Sequence, residues 1–142
     1  MTPPQILIVE DERIVARDLQ CRLKRMGYGV PGLATSGEGA IRHVEQSPPD
    51  LVLMDIILDG AMDGIQAAEE IQNRYRTPVV YVTAHADETT FERAKRTRPC
   101  GYLVKPYEDG ELKRVVELAL HKHHRPGEAG WLETPTPESE TA

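Results

Sequence analysis

Cysteine is nearly absent from this chain: Cys21 and Cys100 are the only two in 142 residues, and they match no metal-ligand or redox spacing. Two distant cysteines read as reduced thiols, which excludes a disulfide framework and a thiolate metal site. Long hydrophobic runs are missing as well, and no stretch is long enough to span a bilayer. No positively charged start leads into an apolar segment, so a secretory signal is not expected and the reading is a cytoplasmic protein with no membrane attachment. Positive charge is in deficit, 17 Lys and Arg against 23 Asp and Glu. A net charge of −6 argues against nonspecific nucleic-acid binding. No repeat of useful period is visible. What is present is ordinary globular composition, 39% hydrophobic and 28% charged, of a length suited to one domain with a proper core.

The apolar residues are grouped in a telling way. Gln5-Ile6-Leu7-Ile8-Val9 and Leu51-Val52-Leu53-Met54 are short, continuous runs, the signature of strands buried on both faces of a parallel sheet. Val79-Val80-Tyr81-Val82 and Gly101-Tyr102-Leu103-Val104 add two more. A weaker strand over Tyr28 to Ala34, interrupted by Pro31 and Gly32, suits a sheet edge. Between the runs the pattern turns helical. Val15, Leu19, Leu23 and Met26 recur at spacings of four and three before Gly27. Thr35-Ser36-Gly37-Glu38 offers a capping box for a helix carrying Ala40, Ile41 and Val44. Asp63 is placed to cap a helix with Ile65, Ala68, Ile71 and Tyr75 on one face. The helix from Asp87 to Arg96 has only Phe91 and Ala94 as an apolar face, which marks it as loosely packed. The last helix starts near Asp109 and turns Leu112, Val115, Val116 and Ala119 inward. Five strands alternating with five helices predict an α/β fold, an open, doubly wound parallel sheet with helices on both faces. The domain is expected over residues 1–124, followed over 125–142 by an acidic, Pro-rich tail whose only large apolar residues are Trp131 and Leu132.

Four of the strands end in polar residues: Glu10-Asp11, Asp55, Thr83 and Lys105. In a parallel sheet these ends share one edge, where open α/β sheets place their chemistry. Crowding three carboxylates is costly, since two charges ~5 Å apart repel by roughly 3 kcal/mol at an effective dielectric of ~20. Either one carboxylate stays protonated or a hard cation occupies the site. Oxygen-only donors favour Mg²⁺, and a lysine with a hydroxyl beside a metal-bound carboxylate suits phosphoryl transfer to Asp55. The bland alternative for any single end is a helix cap or a surface charge.

The set Ile8-Val9-Glu10-Asp11, Leu53-Met54-Asp55, Val82-Thr83-Ala84 and Tyr102-Leu103-Val104-Lys105-Pro106 resembles the receiver domain of two-component response regulators, over residues 5–122. That family has a flavodoxin-like three-layer fold. The resemblance implies a switch rather than an enzyme, with self-phosphorylation and self-dephosphorylation confined to Asp55. A sensor histidine kinase or phosphotransfer protein would supply the phosphoryl group from a phosphohistidine. Mg²⁺ would be bound by Asp11, Asp55 and the main-chain oxygen of Ile57, with Glu10 acting through a metal-bound water. Lys105 would pair with the phosphoryl oxygens, across a bond to Pro106 that is commonly cis in relatives. Thr83 would move toward the phosphoryl group and Tyr102 would turn inward, reshaping a face made by the fourth helix, fifth strand and last helix. A downstream protein target is expected there, with no direct DNA binding and a homodimer as an option. From its strand position alone, Tyr102 reads as an ordinary edge aromatic.

Some residues depart from the family pattern. The loop Ile56 to Gly64 is one residue longer than the common form and has Asp59-Gly60 where a proline is usual. Ile57 and His85 stand where relatives set the rate of hydrolysis, and an apolar Ile57 predicts slow self-dephosphorylation. The loop form and Pro99-Cys100-Gly101-Tyr102 resemble receivers associated with sensor kinases, and the tail is too short for an output domain, so a stand-alone module in a phosphorelay is expected. A phosphatase resembling haloacid dehalogenases would need a second Asp where Ile57 stands. A docking protein without phosphorylation is the third option. Gly27-Tyr28-Gly29-Val30-Pro31-Gly32 fits the dinucleotide fingerprint, but a helix precedes it and a strand follows, the reverse of what phosphate binding needs. His121, His123 and His124 read as a solvated helix end. Arg93, Lys95, Arg96 and Arg98 form a basic patch, solvated by default and open to an acidic partner.

Overall fold

The computed structural model describes residues 2–84 and 87–123, without the side chain of His123. Strands β1 (Ile6–Val9), β2 (Leu33–Ala34), β3 (Leu51–Met54), β4 (Val79–Thr83) and β5 (Gly101–Val104) form one parallel sheet in the order β2-β1-β3-β4-β5. Helices α1 (Arg13–Arg25), α2 (Gly37–Gln46), α3 (Gly64–Glu70) and α4 (Glu88–Arg96) make the crossovers, and α5 (Asp109–His123) follows the last strand. Because successive strand residues face opposite sides, the continuous runs feed two cores at once. Ile6, Ile8, Leu53 and Val80 pack with Leu19 and Leu23 of α1 and Leu112 and Val116 of α5. Leu7, Val9, Val52 and Tyr81 pack with α2, α3 and Ala94 of α4. The doubly wound α/β sandwich expected from the sequence is therefore the one observed.

Local differences from expectation have identifiable causes. Strand β2 is only Leu33–Ala34, with an isolated Gln5–Gly29 bridge before it, because Pro31 cannot donate to a ladder. It does lie at the edge. Helix α2 is capped by Ser36, not Thr35: its Oγ accepts from the Gly39 amide at 3.0 Å, and Gly39 has no side chain to complete a capping box. Asp63 does form a full box with Gln66 on α3. That helix does not continue regularly to Tyr75 but passes through a π-helical turn, Ile71–Tyr75, which ends at Arg76 in the left-handed region (φ 56°). Gly27 (φ 98°) follows the C-cap of α1, so the glycine-rich segment closes a helix rather than opening one.

Helix α4 is held mainly by polar contacts. Ala94 is fully buried while Phe91 is 40% exposed, so its apolar contribution is small. Thr97, at its C-terminus, meets the Tyr81 hydroxyl at 2.7 Å, and its carbonyl accepts from Gln72 Nε2 at 2.7 Å. Arg93 pairs with Asp63 at 3.0 Å.

Candidate functional site

The sheet register brings the polar strand ends together. Val9 pairs with Met54, so Glu10 and Asp55 emerge abreast, and the Asp55 amide extends the ladder to the Val9 carbonyl at 3.0 Å. Thr83 pairs with Val104, and the Lys105 amide donates to the Thr83 carbonyl at 2.9 Å. Strand β4 separates β3 from β5, so Thr83 ends between Asp55 and Lys105. Thr83 is fully buried; Glu10 and Asp55 are nearly so.

Carboxylate oxygens of Glu10, Asp11 and Asp55 lie within 4.8 Å of one another. The Lys105 ammonium bridges two of them, donating to Glu10 Oε1 at 2.7 Å and to Asp55 Oδ2 at 3.2 Å. Glu10 Oε2 accepts from the Glu12 amide at 3.1 Å, and Asp55 Oδ1 from the Ile57 amide at 3.3 Å. Burial pulls the Lys105 pKa down, but the Glu10 hydrogen bond and the Asp55 charge outweigh it and leave the pKa raised. The three carboxylates supply only oxygen, at a spacing one cation can bridge, and this donor set fits a hard divalent ion. The Lys105–Pro106 peptide is cis. Just beyond it, Arg22 of α1 stacks on the Tyr107 ring (5.4 Å to its centroid) and donates to the Tyr107 carbonyl at 3.5 Å.

The loop after Asp55 is anchored at both ends. Asp59 forms a parallel bridge with Ser36, which extends the β2 side of the sheet, and Gly60 takes φ 99° beside Glu38. At the far end the Gly64 amide donates to the Ile56 carbonyl at 2.7 Å. A Cβ on Gly64 would overlap the Asp55 carbonyl oxygen and lie 2.8 Å from Ile56 Cα. Gly64 thus lets α3 start directly against the backbone of Asp55, a role that sequence reasoning missed. Asp63-Gly64 marks a helix start, but nothing in the sequence reports what the backbone must approach.

Tyr102 lies half-buried between two aromatics, edge-on to Phe91 of α4 (centroids 5.1 Å apart) and to Tyr81 (6.1 Å). Burial first, and the Asp87 charge second, raise its pKa. Ile57 is 51% exposed at the mouth of the site. The basic patch divides, with Arg93 paired to Asp63 and Arg98 at the opposite sheet edge. His85, the His123 side chain, His124, Trp131 and Leu132 lie outside the described residues.

A parallel five-stranded α/β sandwich with an acidic cluster and a lysine at its carboxyl edge defines a receiver-like module. The family model for the response regulator receiver domain matches residues 6–117, and the chain belongs to that family. It is similar to the transcriptional regulatory protein PdtaR of Mycobacterium tuberculosis, 38% identical over 120 residues, covering 84% of this chain and 58% of PdtaR. The phyllosphere-induced regulator PhyR of Methylorubrum extorquens is 30% identical over 117 residues, 82% of this chain and 43% of PhyR. The chain thus spans about half the length of these relatives. Among solved structures, the signal receiver domain of a modulated diguanylate cyclase from Desulfovibrio desulfuricans G20 is 41% identical with a TM-score of 0.81, covering 85% of this chain and 96% of that one. A CheY-like receiver from Methanospirillum hungatei, at 23% identity and TM-score 0.80 over 89% of this chain and all of its own, shares the fold. Receivers of this family work with histidine kinases or phosphotransfer partners. Among the described residues no helix is long and apolar enough to cross a membrane.

Proposed function

We propose that the chain is a phosphorylatable receiver that accepts a phosphoryl group on Asp55 from a phosphohistidine. The observation that carries this reading is the carboxylate cluster of Glu10, Asp11 and Asp55, within 4.8 Å, with Lys105 bonded to two of its members. An Asp55 carboxylate oxygen attacks phosphorus as the P–N bond breaks, and the imidazole leaves with the electron pair. Asp11, Asp55 and the Ile57 carbonyl would hold Mg²⁺, with Glu10 acting through a water, and the bound ion would supply charge neutralisation for the phosphoryl group. Lys105 then turns from the carboxylates to the phosphoryl oxygens, which carry more negative charge. Thr83, at the end of the intervening strand, donates its hydroxyl to the same group. Tyr102 follows, leaving its contact with Phe91 and changing the α4–β5–α5 face offered to a downstream protein or a second copy. Return to the resting state is hydrolysis at phosphorus. Apolar Ile57 cannot orient the attacking water, and the acyl phosphate is long-lived.

Incubation with Mg²⁺ and acetyl phosphate, read by intact mass, tests the reading. A single phosphoryl adduct that Asp55→Asn abolishes is expected. Multiple turnover of phosphate esters would instead indicate a phosphatase, and no adduct at all would leave a docking protein.

A further inference from the structure

At the sheet edge opposite Asp55, a cavity of about 470 Å³ opens between the π turn after α3, the start of β4, the α4–β5 connection and the last turn of α5. Arg76, Arg98 and Lys122 line it together with Asn73, Thr77 and Cys100, and no Asp or Glu does. Among the described residues, none of these three cations has a carboxylate within ion-pair distance, although acids outnumber bases in the chain. Arg76 and Arg98 both stand in the left-handed region, at φ 56° and 55°. Each follows the end of a helical segment, where the chain turns toward the next strand. The wall is preformed, because Thr97 is held by Tyr81 and Gln72 at 2.7 Å each. The volume suits a few side chains rather than a single ion.

We propose that this cavity docks the chain's own acidic segment beyond α5, residues 126–142, with Trp131 and Leu132 against Pro78 and Cys100 and the segment's glutamates against Arg76, Arg98 and Lys122. Lys122 lies at the rim, so the chain leaves α5 beside the cavity. Nine residues of linker to Trp131 reach at most ~30 Å, ample to turn back over the opening. The segment carries Glu128, Glu133, Glu138 and Glu140 and no Lys or Arg, which complements the three cations. A tethered segment presents itself at millimolar effective concentration, so contacts too weak to retain a separate peptide suffice. The occupied cavity touches Thr97, the C-terminal end of α4, whose Phe91 abuts Tyr102. This links the segment to the output face.

Trp131 is the chain's only tryptophan, so its fluorescence reports the segment directly. In the full chain, emission is expected to be blue-shifted, with lower acrylamide quenching and higher anisotropy than a synthetic peptide of residues 126–142. Arg76→Asn with Arg98→Asn removes two charges while keeping a residue type that tolerates left-handed backbone. That variant, checked for folding by circular dichroism and urea midpoint, loses the shift, as do Glu133→Lys with Glu138→Lys and the wild type at high salt. Trp131 as accessible in the full chain as in the peptide overturns the proposal. So does a shifted emission indifferent to the arginine substitutions, which places the segment elsewhere. If the arginine variant loses only the binding of an added acidic peptide, the occupant is a partner's segment and the intramolecular assignment fails.

Discussion

Replacing Lys105 with Met keeps most of the aliphatic stem and removes the only cation bonded to the carboxylate cluster among the described residues. The side chains of Glu10 and Asp55 are only 5% and 10% exposed, so water cannot replace the ammonium freely. With carboxylate oxygens within 4.8 Å, each pair of charges repels by roughly 3.5 kcal/mol at an effective dielectric of ~20. Breaking a buried pair by deleting one partner costs about 3–5 kcal/mol. Partial exposure of Lys105 and Asp11 softens that, and a loss of about 2–4 kcal/mol is expected in the absence of divalent ions. In urea titrations with EDTA at neutral pH, this moves the midpoint down by roughly 1–2 M for an m-value of ~2 kcal/mol/M. Mg²⁺ then recovers more stability in the variant than in the wild type, because the competing ammonium is gone. At a hundredfold excess over Kd the recovery reaches ~2.7 kcal/mol. An unchanged midpoint in EDTA, or a larger Mg²⁺ response in the wild type, would refute the view that Lys105 neutralises this cluster.

Three other substitutions probe separate parts of the argument. Gly64→Ala forces a Cβ onto the Asp55 carbonyl, where backbone rather than a flexible side chain must move. A loss of about 2–4 kcal/mol in chemical denaturation is expected, together with slower phosphorylation from acetyl phosphate, and a neutral variant would show that α3 does not abut the Asp55 backbone. Ile57→Asn supplies a polar group at the mouth of the site, so the phosphorylated form should lose phosphate severalfold faster; an unchanged lifetime counts against a role for this position. The Tyr81 phenol is pushed up to about 12, chiefly by burial, with the Thr97 hydrogen bond opposing. The unfolded phenol ionises near 10.0, so Tyr81's contribution is intact below that pH. It declines by roughly 1.4 kcal/mol per unit as pH rises toward 12. Tyr81→Phe should remove that part of the alkaline slope while costing about 1 kcal/mol at neutral pH, and an identical slope in both proteins would contradict the burial argument.

Much of the fold was legible because the strands are buried on both faces and therefore appear as unbroken apolar runs. The caps were legible only where a side chain completes the motif. Asp63 with Gln66 is a full box, whereas the Thr35–Glu38 pattern gave way to Ser36, which meets the Gly39 amide. The π turn after α3 left no mark in the pattern, since Ile71 and Tyr75 satisfy helical spacing either way. The loop after Asp55 departs from the expected family pattern in sequence, and it is tied to Ser36 by a strand-like bridge that no local pattern announces. Helix α4 looked weakly held by its apolar face; Thr97, Tyr81 and Gln72 supply a polar hold that periodicity cannot reveal.

The order of short apolar runs, each ending in a polar residue, determined a parallel α/β sheet, and with it a common edge for Glu10, Asp11, Asp55, Thr83 and Lys105. Local pattern suffices for that, because strand direction and crossover handedness leave few arrangements. Which carboxylates the lysine meets, how tightly Gly64 lets α3 approach Asp55, and that Arg76, Arg98 and Lys122 share one cavity were decided only by the packed chain. These depend on distances between residues far apart in sequence, set by sheet register and helix docking and not by any local preference.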